Sequence, residues 1–336
     1  MKEYNIAIEV GSSNTIIYRQ GLGVVLKEPS LVAIECYKGK ENVIAVGNDA
    51  KQLMGKTAKN VDIVSPIAEG VIKNISCARK MLEGFLNKID DKRFFARKHL
   101  VFCVPCGINK SEQETYKNLG YMLNANSVAL VPSVYFALAG MVAENSISPK
   151  LVVNMGGGTT DIAVIAKNEI ISGCTISMGN DSIDEKVKNE ILQKYGIEIS
   201  KNDAEEAKFE VSTLLPNDII EHEIVGVDVN TYETRMIRVH SQDFLELFTE
   251  YYAVIVDGVK AVIKACPIEV RDDLLRSGIY VCGGNAVING LERFLRGRLS
   301  YPIHISTDPK LTTVNGISIL LRNPKMLNEI IKNVIY

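Results

Sequence analysis

The sequence contains two related segments, IEVGSSNT at residues 8–15 and VNMGGGTTD at residues 153–161. Each segment joins two apolar runs through glycine and small hydroxyl or amide residues. This pattern predicts a strand, a tight turn and a second strand, with the backbone N–H groups of the turn pointing at one spot. Such a turn suits an anionic phosphate. Two of them, one in each half of the chain, predict a cleft that holds a polyphosphate.

A third glycine-rich turn lies at residues 281–286, which read VCGGNA, between an apolar strand and a predicted helix. Glycine at the end of a strand lets the backbone approach a flat ligand, and the helix N terminus that follows favours negative charge. Many strand-to-helix turns contain two glycines, so this turn alone is weak evidence. Its position after the two related turns makes the set of three much more specific.

Strands alternate with helices along the chain, which predicts an α/β architecture. The length of 336 residues favours two domains, with residues 145–150 predicted to cross between them. Apolar residues at spacings of three and four predict a helix from Ala68 to Lys88. Ser111 and Glu114 predict a capping box at the start of the next helix.

Composition excludes some classes of function. A net charge of -2 gives no electrostatic reason to expect nucleic-acid binding. Seven cysteines, an odd number, do not indicate a disulfide framework. Residues 1–4 lead directly into a predicted strand, so we expect no signal peptide, and no apolar run reaches the ~18 residues of a membrane-spanning helix. We therefore expect a cytoplasmic protein with reduced thiols.

The order of the three turns resembles the ATPase superfamily of actins, sugar kinases and heat-shock chaperones. Within that superfamily, the chain resembles the bacterial actins of the MreB and Mbl family over nearly its whole length. Beyond the turns, the resemblance is carried by residues 26–34, 45–51, 66–72, 104–108 and 204–208. Sugar kinases and chaperones share the three turns but not the stretches between residues 26 and 72.

This resemblance implies the actin-like ATPase fold, an α/β fold with two domains around a nucleotide cleft, each with a mixed sheet flanked by helices. We expect the first domain at residues 1–146, with a small insert at about 27–66 and with residues 315–336 returning to it. We expect the second domain at residues 147–314, with a small insert at about 182–242.

The resemblance also implies an ATP or ADP site. Ser12, Ser13 and Asn14 match the turn that holds the β- and γ-phosphates in the family, and Glu205 and Lys208 match the pair on the ribose and adenine side. Asn285 stands where a glycine is usual, which we expect to be tolerated because asparagine adopts positive φ more readily than other non-glycine residues. The full set of expected nucleotide-binding residues is Gly11, Ser12, Ser13, Asn14, Gly156, Gly157, Gly158, Thr159, Asp181, Glu205, Lys208, Gly283, Gly284, Asn285 and Ala286.

The sequence departs from the family at three catalytic positions. Glu9 and Asn154 stand where aspartate is usual, and Val131 stands where a glutamate positions the attacking water. Glu9 keeps its charge but moves it by one methylene relative to a hydrated Mg²⁺, which it would contact indirectly. Asn154 cannot carry negative charge or take a proton, and Val131 can neither orient nor deprotonate water. We therefore expect ATP and Mg²⁺ to bind, with slow or absent hydrolysis.

The function implied by the resemblance is that of a filament-forming bacterial actin that organises cell-wall synthesis and determines cell shape. Filaments repeat one contact between identical subunits, so the main expected partner is the chain itself, followed by the cell-wall synthesis machinery. One alternative is a non-polymerising, nucleotide-gated adaptor. A less favoured one is a sugar or acetate kinase, which would need an acid near an acceptor pocket.

Residues 92–98 place Phe94 and Phe95 in a basic loop. In the family, an apolar loop near this position dips into the membrane, and basic flanks add about 1 kcal/mol per residue at an anionic lipid surface. This interpretation predicts peripheral attachment at the inner face of the cell membrane. The other interpretation is that the two rings pack beneath their own loop.

Overall fold

The computed structural model of the chain describes residues 4–37, 40–56, 60–89, 98–142 and 148–334, without the side chains of Lys40, Asn180 and Asp181. Residues 145–147 of the predicted crossing at 145–150 lie outside these ranges. The strands are β1 (Ile6–Val10), β2 (Asn14–Arg19), β3 (Gly23–Pro29), β4 (Val32–Tyr37), β5 (Lys40–Val46), β6 (Val61–Val64), β7 (Ile67–Ala68), β8 (Val71–Ile72), β9 (His99–Val104), β10 (Ser127–Pro132), β11 (Lys150–Met155), β12 (Thr160–Ala166), β13 (Glu169–Ile176), β14 (Ile197–Glu198), β15 (Glu221–Asp228), β16 (Thr234–His240), β17 (Ile279–Cys282) and β18 (Ile303–Ile305).

The helices connect and cover these strands. They are α1 (Asn48–Gln52), α2 (Ile75–Lys88), α3 (Lys110–Met122), α4 (Ser133–Met141), α5 (Asn180–Tyr195), α6 (Lys201–Val211), α7 (Ser241–Ala265), α8 (Ile268–Ser277), α9 (Leu291–Arg296), α10 (Thr312–Arg322) and α11 (Pro324–Asn333). A short 3₁₀ helix spans Gly284–Val287. The predicted α/β class is confirmed.

Two five-stranded sheets share one topology. The first has the order β10-β9-β1-β2-β3 and the second has the order β13-β12-β11-β17-β18. In each sheet, an antiparallel three-stranded meander starts with the strand that precedes a phosphate-type turn. Two further strands then add in parallel to that first strand, β9 and β10 in one sheet and β17 and β18 in the other. The two phosphate-type turns therefore lie at equivalent positions in the two sheets.

Two smaller sheets extend the molecule. The order β5-β4-β6 falls in the first half of the chain, and the order β14-β15-β16 falls in the second. Strands β7 and β8 form a separate two-stranded hairpin. This hairpin contradicts the predicted helix start at Ala68, because Glu69 and Gly70 have φ of 53° and 68° and turn the chain sharply. Helix α2 begins after Asn74, whose side chain accepts a hydrogen bond from Cys77 N.

The predicted capping box of α3 is also displaced. Asn109, not Ser111, is the N-cap: its side chain accepts from Glu112 N at 3.0 Å, and the Glu112 carboxylate accepts from Asn109 N at 2.8 Å. Asparagine caps a helix as well as serine does, so two candidate boxes lay two residues apart in the sequence. The observed box starts α3 directly after the turn that follows β9.

A core between the two large sheets joins the halves of the molecule. Its buried members come from both sheets, for example Val101 and Val152, and from helices α4, α10 and α11. Helices α4 and α10 cross at backbone contact, because a Cβ on Gly140 would lie 2.1 Å from Thr312 O and one on Gly316 would lie 1.7 Å from Phe136 O. Any larger residue at either glycine would force the two helices apart.

The C-terminal helices pack back onto the first sheet. The Tyr18 hydroxyl donates to Ser318 Oγ at 2.7 Å, and Gln20 Nε2 donates to Leu321 O at 3.1 Å. Tyr18 lies on β2 and Gln20 directly follows it, so α10 is tied to the hairpin that carries the first turn. The exact division into residues 1–146 with 315–336, and 147–314, remains a prediction.

Candidate functional site

The first two glycine-rich turns have the same backbone construction. Gly11 N donates to Asn14 O at 3.0 Å, and Gly156 N donates to Thr159 O at 2.8 Å. Both turns therefore close by the same hydrogen bond. The strands below them are paired in the same register, with Glu9 opposite Ile16 in one hairpin and Asn154 opposite Asp161 in the other.

The two turns face each other across a narrow gap. A Cβ on Gly157 would lie 2.7 Å from Ser13 Oγ, and a Cβ on Gly158 would lie 2.1 Å from Ser12 Oγ. The serine side chains of the first turn thus occupy the space that side chains on the second would need. This contact explains why the second turn has glycine at positions 157 and 158, where the first turn has Ser12 and Ser13.

Other segments buttress the first turn. The Ser30 hydroxyl donates to Gly11 O at 2.6 Å, and Ser30 N donates to Ser13 O at 3.0 Å. The Ser65 hydroxyl donates to Ser12 O at 3.2 Å. Because these hydrogen bonds hold the carbonyl oxygens of Gly11, Ser12 and Ser13, the first turn is rigid.

A cleft of about 260 Å³ opens from these turns. It contains two exposed cations that the sequence analysis missed, Lys27 on β3 and Lys310 before α10. A smaller cavity of about 70 Å³ continues from it toward the base of the two sheets. The residues predicted as nucleotide-binding that line the cleft or this inner cavity are Gly11, Ser12, Ser13, Asn14, Gly156, Gly157, Gly158, Thr159, Glu205, Gly283 and Gly284.

Helix α6 forms the far side of the cleft. Glu205 lines the cleft, whereas Lys208, one turn further on, is 4% exposed and forms a buried ion pair with Asp184. Phe209, next to Lys208, is half-exposed, with Lys208 Nζ 4.8 Å and Lys310 Nζ 5.0 Å from the centre of its ring. Lys208 and Phe209 line a further small cavity of about 20 Å³ together with Gly284 and Asn285. This end of the cleft therefore offers an aromatic face beside apolar and glycine backbone surface.

The third turn contacts the second one directly. Gly283 has φ of 96°, and a Cβ there would lie 2.3 Å from Met155 O, so only glycine fits. Asn285 is not at positive φ, contrary to our expectation, but lies in the first turn of the 3₁₀ helix and is 5% exposed. Its Nδ2 donates to Gly156 O and to the Tyr251 hydroxyl, both at 3.3 Å. Asparagine is accommodated there because its amide ties the third turn to the second. Ala286 is buried beside it in the core of the second half.

Glu9 lies where the cleft meets its inner cavity and lines both. Burial raises the pKa of its carboxyl to about 7, against the opposing effect of the Lys27 charge, and the charge of Asp161 raises it further. Near neutral pH the carboxyl is therefore close to half protonated. An acid in this state can take up or release a proton in response to a bound ligand.

Asp161 is the acid at the base of the site that the sequence analysis did not single out. It is 3% exposed, and its carboxylate accepts from Ser133 Oγ at 2.5 Å, Thr175 Oγ1 at 2.6 Å and Cys106 N at 3.0 Å. Burial raises its pKa, although these hydrogen bonds act in the opposite direction. Because Ser133 and Cys106 follow strands of the first sheet, Asp161 joins the two halves. Its position directly after the second turn was the signal that could have identified it.

The two remaining catalytic positions have different surroundings. Asn154 is 7% exposed and donates from Nδ2 to Ser133 Oγ at 3.1 Å, so it belongs to the same polar network. Val131 is fully buried on β10, opposite Cys103 in the parallel register, and packs in the core between the sheets. Ser133, two residues beyond it, lines the inner cavity.

Some predicted residues cannot be compared with the structure. The side chain of Asp181 and the whole of Phe94 and Phe95 lie outside the described residues. Within the described ranges, no helix is both long and apolar enough to cross a membrane. The same ranges contain no cluster of three or more His, Cys, Asp or Glu side chains arranged for a metal ion.

Comparison with known proteins identifies the family. The model of the MreB/Mbl protein family matches residues 3–329. The cell shape-determining protein Mbl of Bacillus cereus is 35% identical over 322 residues, which cover 95% of this chain and 96% of that protein. The crystal structure of MreB5 of Spiroplasma citri bound to AMPPNP superposes with a TM-score of 0.89 at 25% identity, covering 98% of this chain and 99% of that one.

A more distant structure has the same fold. A subunit of the MamK double helical filament matches with a TM-score of 0.76 at 17% identity, over 95% of this chain and 99% of that one. The predicted actin-like fold, with two domains around a cleft, is confirmed. Together with the family match over nearly the whole length, these comparisons show that the chain belongs to the MreB/Mbl family of bacterial actins.

Proposed function

We propose that the chain binds ATP or ADP in the cleft between its two halves. The observation that carries this proposal is the pair of opposed turns, which close by the same hydrogen bond, approach each other at glycine and serine, and line the cleft together. Lys27 and Lys310 add positive charge to that space, which suits a polyphosphate. MreB5 of Spiroplasma citri, whose fold is closely similar, was crystallised with AMPPNP.

The nucleoside end of the ligand would lie toward α6. Glu205 can accept hydrogen bonds from ribose hydroxyls, because its carboxylate lines the cleft. The base would stack near the half-exposed Phe209 ring, beside Gly284 and Asn285. Titration of a fluorescent ADP analogue should give saturable binding that unlabelled ATP displaces. Failure of both nucleotides to bind would contradict the proposal.

Magnesium fits the inner end of the cleft as an ion held mainly through water. Mg²⁺ keeps several waters and uses one or two carboxylates plus phosphate oxygens, and Glu9 and Asp161 both line the inner cavity. When bound, the ion would neutralise phosphate charge. We propose that Glu9 faces this ion indirectly and releases its proton when the ion binds, so that the affinity for Mg²⁺ rises with pH.

We further propose that hydrolysis is slow. No charged or polar side chain is available at Val131, which is buried in the apolar core. The nearby Ser133 hydroxyl is engaged with Asp161 and Asn154, so it cannot serve as a replacement without breaking both contacts. A missing group that positions or deprotonates water typically costs about 10²–10⁴ in rate.

Phosphate release in the presence of Mg²⁺ tests this proposal. We expect a low rate from the unaltered chain and a rise of about tenfold or more in the Val131→Glu, Asn154→Asp double variant. Val131→Leu is the matched control, since it changes bulk at the same position without adding an acid. Rapid release by the unaltered chain would contradict the proposal.

The proposed biological role is a filament that organises cell-wall synthesis and sets cell shape. The relative Mbl is named for cell-shape determination, and MamK, which has the same fold, forms a double helical filament. Electron microscopy of the purified chain with and without ATP should reveal filaments. Their absence under both conditions would favour the nucleotide-gated adaptor instead.

Attachment at the inner face of the membrane is the last part of the proposal. It rests on the sequence of residues 92–98, in which two aromatic residues lie among basic ones. Flotation with anionic liposomes should fall when Phe94 and Phe95 are both changed to alanine. Equal flotation of the two proteins would favour rings that pack beneath their own loop.

A further inference from the structure

Lys27 and Glu9 belong to one row of side chains across the first sheet. Glu9 on β1 lies directly opposite Ile16 on β2, and Ile16 lies directly opposite Lys27 on β3. Directly opposite residues on neighbouring strands point to the same face of a sheet, and all three line the nucleotide cleft. Because neighbouring strands lie about 4.8 Å apart, the backbone positions of Glu9 and Lys27 are about 10 Å apart, with Ile16 between them.

The equivalent row of the second sheet is built differently. There, Asn154 lies opposite Asp161, which lies opposite Thr175. The Thr175 hydroxyl donates to Asp161 at 2.6 Å and accepts from Gly107 N at 2.8 Å, so this row closes on itself as a hydrogen-bonded network. The first row has an isoleucine in the middle, so its lysine cannot close a network in the same way.

Lys27 is available to a ligand. Its side chain is exposed, and in the part of the chain that the structure describes it makes no hydrogen bond or ion pair. Its charge nevertheless reaches the inner end of the cleft, because it lowers the pKa of Glu9 against the effect of burial. The first phosphate-type turn joins β1 to β2 two residues beyond the row. A phosphate held by that turn therefore lies within the influence of the same ammonium group.

The inner end of the cleft offers little negative charge to a magnesium ion. Asn154 is neutral, and the carboxylate of Asp161 already accepts three hydrogen bonds. The one other acid among the described residues that line the inner cavity is Glu9. Magnesium in nucleotide sites is normally held through one or two carboxylates and by phosphate oxygens. The phosphate charge therefore calls for a second cation, and the protein supplies one on β3.

We propose that Lys27 binds the phosphate chain of the nucleotide directly, so that nucleotide is held even without a divalent cation. This inference rests on the proposed nucleotide binding and assigns to one side chain part of the charge compensation. Lysine suits the role, because its ammonium is a compact point charge with three donors on a flexible stem. Its contribution is largest when the metal is absent, since the bare phosphate chain then carries more uncompensated negative charge.

Lys310 provides the comparison, because it is the other lysine that lines the cleft. Its ammonium lies at the nucleoside end, 5.0 Å from the centre of the Phe209 ring. We therefore expect its contribution to binding to be nearly the same with and without Mg²⁺.

Anisotropy titration of the purified full chain with a fluorescent ADP analogue, in excess Mg²⁺ and in excess EDTA, tests this proposal. We expect saturable binding in both conditions. Lys27→Met should weaken binding by about tenfold in EDTA but by about threefold or less in Mg²⁺. Lys27→Arg should retain most of the affinity in both, since a guanidinium also pairs with phosphate. Lys310→Met should change the two affinities by equal factors.

The outcomes separate this proposal from nucleotide binding itself. Absence of binding in Mg²⁺ would overturn both. Binding in Mg²⁺ that is lost in EDTA, or an equal loss for Lys27→Met in the two conditions, would overturn only the role of Lys27. The same Mg²⁺ dependence in both lysine variants would also overturn it, because the effect would then belong to the overall charge of the cleft.

Thermal unfolding without ligand distinguishes a role in binding from a role in the fold. Lys27→Met should keep the melting temperature of the unaltered chain, because the side chain is exposed. A fall of several degrees would show that Lys27 supports the fold, and would overturn the proposal.

Discussion

The hairpins β1–β2 and β11–β12 share the same backbone construction but differ in where they carry an acidic side chain. Both close their turns with the same hydrogen bond and pair their strands in the same register. The acidic residue lies on a different strand in each hairpin. Glu9 lies on the first strand, opposite Ile16, whereas Asp161 lies on the second strand, opposite Asn154. The duplicated backbone supplies the phosphate cradle, and the chemistry depends on which strand carries the carboxylate.

Asp161 and Glu9 also differ in the interactions that their carboxyl groups make. Asp161 receives three hydrogen bonds, two of them from residues that follow strands of the first sheet. The pKa of Glu9 is governed by burial and by the charges of Lys27 and Asp161. We infer that Asp161 anchors the two halves to each other, while Glu9 is the acid that responds to a ligand. The following predictions test this difference, from the largest expected effect to the smallest.

Asp161→Ala should lower the free energy of unfolding by about 3–5 kcal/mol, because three buried donors lose their acceptor at once. Urea unfolding measures this loss. Asp161→Asn, which keeps one acceptor oxygen, should cost less. A loss below about 1 kcal/mol for the alanine variant would contradict the role of Asp161 as an anchor.

Glu9→Gln should change how stability depends on pH. The pKa of Glu9 rises from 4.5 to about 7 on folding, so the folded state binds the extra proton between these values. The resulting stability is fully present below about pH 4.5 and is lost as pH rises through 7. The ligand-free variant should therefore match the unaltered chain near pH 4.5 and exceed it above pH 7, by about 2–3 kcal/mol.

Denaturation series at several pH values measure this effect. Asn154→Ala, at the matching position of the second hairpin, is the control, because it removes no titratable group. Its stability difference from the unaltered chain should vary far less with pH. A Glu9→Gln difference that stays constant between pH 4.5 and 8 would show that Glu9 does not titrate in this range.

Gly158→Ala should weaken ADP binding by about tenfold, or 1.4 kcal/mol. Its Cβ would lie 2.1 Å from Ser12 Oγ and 2.8 Å from Ser12 Cβ, so the two turns would have to separate. Ser13→Ala, at the matching position of the first turn, keeps the backbone donors and should cost about threefold or less. Anisotropy of a fluorescent ADP analogue compares them. Equal losses of ADP affinity in the two variants would show that the close contact between Gly158 and Ser12 has no special importance for binding.

Glu205→Gln should have the smallest effect, about threefold weaker nucleotide binding with unchanged stability. It replaces a partly exposed carboxylate by an amide that still accepts a hydrogen bond. The same anisotropy titration measures it, and urea unfolding provides the second readout. A large fall in stability would show that Glu205 supports the fold rather than the ligand.

Local sequence patterns predicted much of the fold and part of the site. Glycine and small polar residues between apolar runs predicted both hairpins, since a tight turn between strands needs them. The helix start at Ala68 was wrong, because apolar spacing does not report the positive φ of Glu69 and Gly70. The prediction that Asn285 is tolerated through positive φ was wrong as well. Its amide instead makes hydrogen bonds with residues 34 or more positions away in the chain.

The sequence alone determined the paired phosphate-type turns, the α/β class and the substitutions at Glu9, Asn154 and Val131. These features depend on residue type and local spacing, which the sequence gives directly. Tertiary structure alone decided that Asp161 joins the two halves, that Lys208 pairs with Asp184, and that Lys27 and Lys310 line one cleft. Each of these depends on side chains brought together from distant parts of the chain. The chemistry of a buried charge is set by those neighbours and by its distance from water.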